Sequence, residues 1–222
     1  MKKNIYVGFD IDETFIHSID IKLDQDPYVD ADFNIQDVDT GKYSFSTYIR
    51  PNARLLLNYV KENYNIFFYT RSSKDYALEV LKEFGMENEK LFHSKYIDVE
   101  TVDTLYEGLK KFKVKRLDKI ANKLGISIDD MIFIDDIKNR NEIRPIHVVT
   151  QVPAYYGNDV DSVMTKLLKE FQHCQLLNEL KIKEHFKNIN LIDTLEIKEV
   201  IDVDTQLKDT QLKRSKIKNK SF

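Results

Sequence analysis

The sequence predicts an α/β fold built on a parallel sheet with helices on both faces. Three observations carry that reading. Apolar runs recur in the segments 5–9, 65–69 (apolar from Ile66) and 131–134. Segments with helical spacing separate them. Each run ends on acidic or hydroxyl residues: Asp10 and Asp12, Thr70, and Asp135 with Asp136. Continuous apolar strands are buried on both faces, and strands alternating with helices build parallel sheets. In such sheets ligands sit beyond the carboxyl ends of the strands.

The elements follow in order. Ile5-Tyr6-Val7-Gly8-Phe9 is the first buried strand. An aspartate-rich stretch follows, and its second half reads as a hairpin turning at Thr40-Gly41, an insertion spanning about residues 20–49. Arg50-Pro51 breaks the strand, and residues 53–64 take helical spacing through Leu56, Tyr59, Val60 and Tyr64. After the 65–69 strand, Ser72-x-x-Asp75 reads as a capping box for a helix that stops at Gly85. Residues 90–97 look strand-like, and residues 114–124 look helical up to Gly125. Residues 131–134 form another buried strand and 146–149 a shorter one, and an amphipathic helix over 160–171 closes the domain. The organisation expected is a Rossmann-like domain over residues 1–171 and an extension over 172–222. That extension holds a helix over 176–186, alternation over 191–203 and a basic tail over 208–222.

Composition narrows the class. A net charge of −3 gives no global bias toward nucleic acid. Cys174 is the single cysteine, so no internal disulfide can form, and an intracellular setting, cytoplasmic or nuclear rather than secreted, is expected. No run approaches the ~20 apolar residues of a membrane span.

Asp10 and Asp12 lie two residues apart at a strand end, so they point to the same side of the pleat. Like charges that close are costly unless a cation, or an anionic substrate with a cation, completes the site. Asp-x-Asp-x-Thr is therefore a candidate phosphoryl-transfer site with a divalent metal.

The motifs carry a resemblance. Asp10-Ile11-Asp12-Glu13-Thr14-Phe15-Ile16-His17-Ser18, Arg50-Pro51, Phe68-Tyr69-Thr70-Arg71-Ser72 with Tyr76-Ala77, Val114-Lys115-Arg116-Leu117 and Phe133-Ile134-Asp135-Asp136 resemble the haloacid dehalogenase superfamily of phosphatases. Within it they are most similar to the RNA polymerase II C-terminal-domain (CTD) phosphatases and NLI-interacting-factor-like relatives. The resemblance implies Asp10 as nucleophile forming an aspartyl-phosphate, and Asp12 as general acid and then base. It implies Mg²⁺ held by Asp10, the backbone carbonyl of Asp12 and Asp136, with Asp135 alongside. Lys115 neutralises phosphate charge, with Lys113 its rival, and the Thr70 hydroxyl bonds a phosphoryl oxygen. Thr14, Arg71 and Ser72 are assigned to substrate. His17 is read as structural and His93 as a surface histidine.

The intervals speak to substrate size. Roughly 55 residues separate Asp12 from Thr70 and roughly 45 separate Thr70 from Lys115, too few for a cap domain beside the elements already there. A capless, open site suits a macromolecule, so a phosphoserine or phosphothreonine protein, with a CTD-like peptide as one form, is the leading substrate. Phe33, Tyr43, Phe45 and Tyr48 could line a pocket in the insertion. Asp37 and Asp39 fall where relatives place apolar residues, which favours a peptide with Lys or Arg near the phosphate. The alternatives are a catalytically weak binding scaffold on this fold, or a phosphatase for nucleic-acid ends or small phosphate esters. The basic tail reads as a solvated tail or as a docking arm for an acidic partner or nucleic acid. Monomer and dimer both stay open.

Overall fold

The computed structural model describes residues 2–191 apart from 23–24, 37–42, 105–107, 138, 158–159 and 190. The chain divides into two units, Met1–Leu191 and Ile192–Phe222. The second unit lies outside the described residues, and with it the alternating and basic segments of the extension.

Along the first unit run β1 (Tyr6–Phe9), β2 (Ile16–Asp20), β3 (Phe33–Gln36), β4 (Tyr43–Ile49), α1 (Ala53–Asn63), β5 (Asn65–Tyr69), α2 (Lys74–Glu83) and β6 (Lys90–Phe92). Then come β7 (Ile97–Thr104), β8 (Gly108–Arg116), α3 (Leu117–Leu124), β9 (Met131–Asp135), β10 (Ile143–Arg144), β11 (Val149–Gln151), α4 (Val163–His173) and α5 (Glu179–Asn188).

The central sheet is parallel, in the order β11-β9-β1-β5-β6. Its side chains alternate between two cores. Ile66 and Phe68 join Val7 and Ile134 under α1, α2, α4 and α5. Phe67 and Tyr69 join Phe133 under α3 and the base of a second sheet. Burial on both faces explains why these strands read as apolar runs. β1 occupies the middle, and Gly8 lets its neighbours close over it. A Cβ on Gly8 would sit 2.2 Å from the Phe67 ring and 2.5 Å from the Phe133 ring. Those rings stack 6.0 Å apart across the strand.

Several expectations shift. The insertion is a three-stranded antiparallel sheet, β2-β4-β3, because Ile16–Asp20 pairs with β4. The Thr40-Gly41 turn lies outside the described residues. The cap of α2 is Ser73, whose hydroxyl accepts from the Tyr76 N–H, so Ser72 is free for other work. The segment over 90–97 splits into β6 and the start of β7. Residues 114–116 are strand, and the helix begins only at Leu117. β8 pairs antiparallel with β7 from Ile97↔Lys115 to Thr104↔Gly108, and parallel with β10 at its base. Lysines on both faces of β8 hid its period of two. The closing helix starts at Val163, and α5 adds Ile182 and Phe186 to the core. No described helix is long and apolar enough to cross a membrane.

Gly8→Ala forces a methyl between two packed rings. It should cost about 1–3 kcal/mol of stability, read as a lower urea midpoint with an unchanged slope.

Candidate active site

Strand ends deliver the site. Asp10 follows β1, Thr70 follows β5, Asp135 ends β9, and Lys115 comes from β8. The Asp10 N–H donates to Ile134 O at 2.9 Å, which locks the β1 and β9 ends together. Lys115 is 1% exposed, and its ammonium lies 2.8 Å from Asp10 Oδ2 and 2.7 Å from Asp135 Oδ2. Lys113 is exposed on the same strand, so the choice between the two lysines falls to Lys115.

The pair is electrostatically demanding. Burial pulls the Lys115 pKa down, but the charges and hydrogen bonds of Asp10 and Asp135 outweigh it and hold the pKa above the ordinary value. Burial pushes the Asp10 carboxyl well above the usual range; Lys115 opposes this, and Asp135 and Asp12 add to it. Burial, with Asp135 beside it, pushes Asp136 up to about 6.

Asp12 is held apart from this cluster. Its carboxylate accepts from Ser72 Oγ at 2.6 Å, from Thr70 Oγ1 at 3.3 Å and from the Tyr76 hydroxyl. Burial, then the Asp12 charge, pushes the Tyr76 phenol above its ordinary value, so it stays a donor. Ser18 of β2 lies 2.8 Å from the same hydroxyl, and the Phe45 ring of β4 packs edge-on against Tyr76. The insertion thus reaches the site through one tyrosine.

The turn between the aspartates and β2 is strained. Glu13 has φ 55°, a left-handed conformation that costs roughly 1–3 kcal/mol in a side-chain-bearing residue. Two contacts hold it: Tyr155 N–H to Glu13 O at 2.7 Å, and Arg50 Nη1 to Thr14 O at 2.8 Å. Arg50 is fully buried and pairs with Asp161 at 2.8 Å, just ahead of α4.

The residues assigned to substrate separate. Thr14 is fully buried, and its hydroxyl donates to Asp136 Oδ1 and accepts from Asp136 N, both at 3.2 Å. Its hydroxyl is turned onto Asp136, and it is not among the residues that line the cavity. Ser72 serves Asp12. Arg71 stays partly exposed at the mouth, paired with Glu142. Thr70 keeps its place at the floor, 1% exposed, and also accepts from Ser72 N at 3.0 Å. His17 packs on the Tyr156 ring and lies 3.5 Å from Glu13. His93 is half-buried against Tyr96. Tyr76, Arg50 and Asp161 were not given site roles from sequence. Tyr76 belongs to the Tyr76-Ala77 motif, and its place one turn beyond Ser72 at the start of α2 is the sequence signal for its role.

Asp10, Asp12, Thr70, Arg71, Asp135, Asp136 and Glu142 line a cavity of about 280 Å³ that also takes in Glu13 and Ile137. Oxygens of Asp10, Asp135 and Asp136 lie within 4.8 Å of one another. Two of these carboxylates, Asp10 and Asp135, share one ammonium, and a hard divalent cation fits the remaining oxygen donors of the cluster. The Asp12 carboxylate is instead taken up by Ser72, Thr70 and Tyr76.

A family model described as NLI interacting factor-like phosphatase matches residues 6–181. A protein of Invertebrate iridescent virus 3 described as CTD phosphatase-like, 355R, is 25% identical over 174 residues, covering 75% of this chain and 93% of its own. Among solved structures, the fission yeast RNA polymerase II CTD phosphatase Fcp1, as a variant bound to beryllium fluoride, is 18% identical with a TM-score of 0.47. The match covers 82% of this chain and 52% of that one. A second structure, of Fcp1 described as an essential RNA polymerase II CTD phosphatase, gives 18% identity and a TM-score of 0.47, over 82% of this chain and 50% of its own. The chain thus spans about half the length of these solved structures.

Removing Lys115 alone leaves buried carboxylates without their cation. Lys115→Met should cost about 3–5 kcal/mol, and Asp10→Asn in the same chain should recover part of that loss in a denaturation cycle. Mg²⁺ at a hundred times its Kd should stabilise the intact protein by about 2.7 kcal/mol, seen as a rise in Tm. The same Mg²⁺ should raise the Tm of Asp136→Asn far less.

Proposed function

The chain belongs to the NLI interacting factor-like phosphatase family, and on that premise we propose that it is a Mg²⁺-dependent phosphatase acting on phosphoserine or phosphothreonine in a protein. The observation that carries the reading is the division of labour between two aspartates. Asp10 sits against Lys115, while Asp12 is turned onto Ser72, Thr70 and Tyr76.

An Asp10 oxygen attacks phosphorus, and the bond from phosphorus to the seryl or threonyl oxygen breaks. Protonated Asp12 gives its proton to that leaving oxygen. Water then attacks the aspartyl-phosphate, Asp12 takes the water's proton, and release of inorganic phosphate restores Asp10. The three hydroxyls around Asp12 fix the direction of its carboxyl group for both halves. Lys115 offsets charge on the phosphoryl oxygens, and Thr70 offers them a hydroxyl. Bound by Asp10, Asp135, Asp136 and the Asp12 carbonyl, Mg²⁺ would screen the repulsion between carboxylate and phosphate dianion. The described elements between Asp12 and Thr70 and between Thr70 and Lys115 are short strands and single helices with no cap domain among them, which supports a protein substrate over a small ester.

Hydrolysis of p-nitrophenyl phosphate should require Mg²⁺ and should fall at least ~10³-fold in Asp10→Asn. Inactivity of the intact protein with Mg²⁺ would leave a binding scaffold instead. Activity that survives Asp10→Asn would overturn the nucleophile.

A further inference from the structure

The β7–β8 hairpin is larger than catalysis needs. Its only buried cation is Lys115 at the base, yet β8 runs nine residues and β7 eight. Side chains alternate along β8, so Lys113 and Lys111 share a face with Lys115. Their cross-strand neighbours are Val99 and Thr101, both uncharged. An antiparallel pair would commonly set an acid opposite a lysine. Here two acids of β7, Asp98 and Glu100, sit on the other face, paired with Arg116, Lys119 and Arg144, and the third, Asp103, stands opposite Leu109 rather than a lysine. Lys111 and Lys113 are exposed and have no ion-pair partner among the described residues. Val99 is 67% exposed and Leu109 is 74% exposed on the same face. A ribbon of bare ammonium groups and open apolar side chains therefore leads away from the catalytic lysine.

From this face we propose that the ribbon is a docking strip for the substrate. It takes acidic or phosphorylated side chains that flank the phosphoresidue being hydrolysed. The inference rests on the phosphatase reading of the adjoining site. At about 3.4 Å per residue, Lys113 and Lys111 stand roughly 7 and 14 Å along the strand from Lys115. An extended peptide has the same rise, so its acidic groups would lie two to four positions from the reacting phosphate. A multiply phosphorylated segment meets that requirement. This reverses the charge preference expected from the insertion. Asp37 and Asp39 lie outside the described residues, while Asp32 accepts the Ile49 N–H and Asp30 accepts the Tyr48 hydroxyl.

The test is fluorescence anisotropy on the full chain with phosphonate peptides, which cannot be hydrolysed. The peptides carry glutamate or phosphoserine, neutral residues, or lysine at positions two to four away, on each side in turn. The acidic peptides should bind about three- to tenfold tighter than the neutral one. That advantage should vanish in Lys111→Ala/Lys113→Ala and shrink in high salt, while p-nitrophenyl phosphate hydrolysis stays unchanged. Equal binding of acidic and neutral peptides would overturn the proposal. So would tighter binding of the basic peptide, or an acidic advantage that the double variant keeps. Displacement of the peptide by a single-stranded oligonucleotide whose own binding depends on Lys111 and Lys113 would assign the ribbon to nucleic acid and overturn it too. Acidic selectivity without any p-nitrophenyl phosphate hydrolysis would sink the phosphatase reading and leave the ribbon standing.

Discussion

Lys115 between Asp10 and Asp135 is the contact around which the structure is arranged. An ammonium with 1% exposure survives only because two carboxylates stand within 2.8 Å of it. Those carboxylates end adjacent strands, and the strands are adjacent because Gly8 lets Phe67 and Phe133 close over β1. The lysine itself must come from outside the central sheet. The second sheet exists at this point of the chain to bring β8 to the strand ends. Sheet pairing, aromatic packing and charge balance thus fix the same few atoms.

A second buried cation does parallel work behind the site. Arg50 binds the Thr14 carbonyl and Asp161, so it ties the strained turn after β1 to the approach of α4. The left-handed Glu13 is tolerable in that grip. Its consequence is to separate the two aspartates in environment. Asp10 meets the ammonium, and Asp12 meets hydroxyls. Two carboxylates two residues apart thus meet different partners. Thr14, in the same turn, holds Asp136 and so shapes the oxygen cluster that suits a cation.

Sequence reading reached the central sheet because strands buried on both faces leave an unambiguous apolar signature. It reached the acidic and hydroxyl strand ends because those residues have no other place in such a sheet. It placed Lys115 by motif but put it in a helix, since lysines on both faces of β8 erase the alternation that marks a strand. Ser72 was given the capping role of Ser73; two adjacent serines satisfy the same pattern, and only the direction of each hydroxyl separates them. That the Thr14 hydroxyl is buried against Asp136 is a tertiary fact with no local signature. Tyr76 and Arg50 stood in view as motif letters, but their partners are 64 and 111 residues away in sequence, beyond any local pattern.

The central claim is that Asp10, held against Lys115, takes the phosphoryl group. The direct measurement is an acid quench of the full chain during turnover of a phosphorus-labelled phosphopeptide with Mg²⁺, followed by mass mapping of the labelled residue. The account predicts label on Asp10 alone, as an acid-stable acyl phosphate that hydroxylamine removes. Label on another residue, or steady turnover with no labelled protein under conditions that trap acyl phosphates, would contradict it.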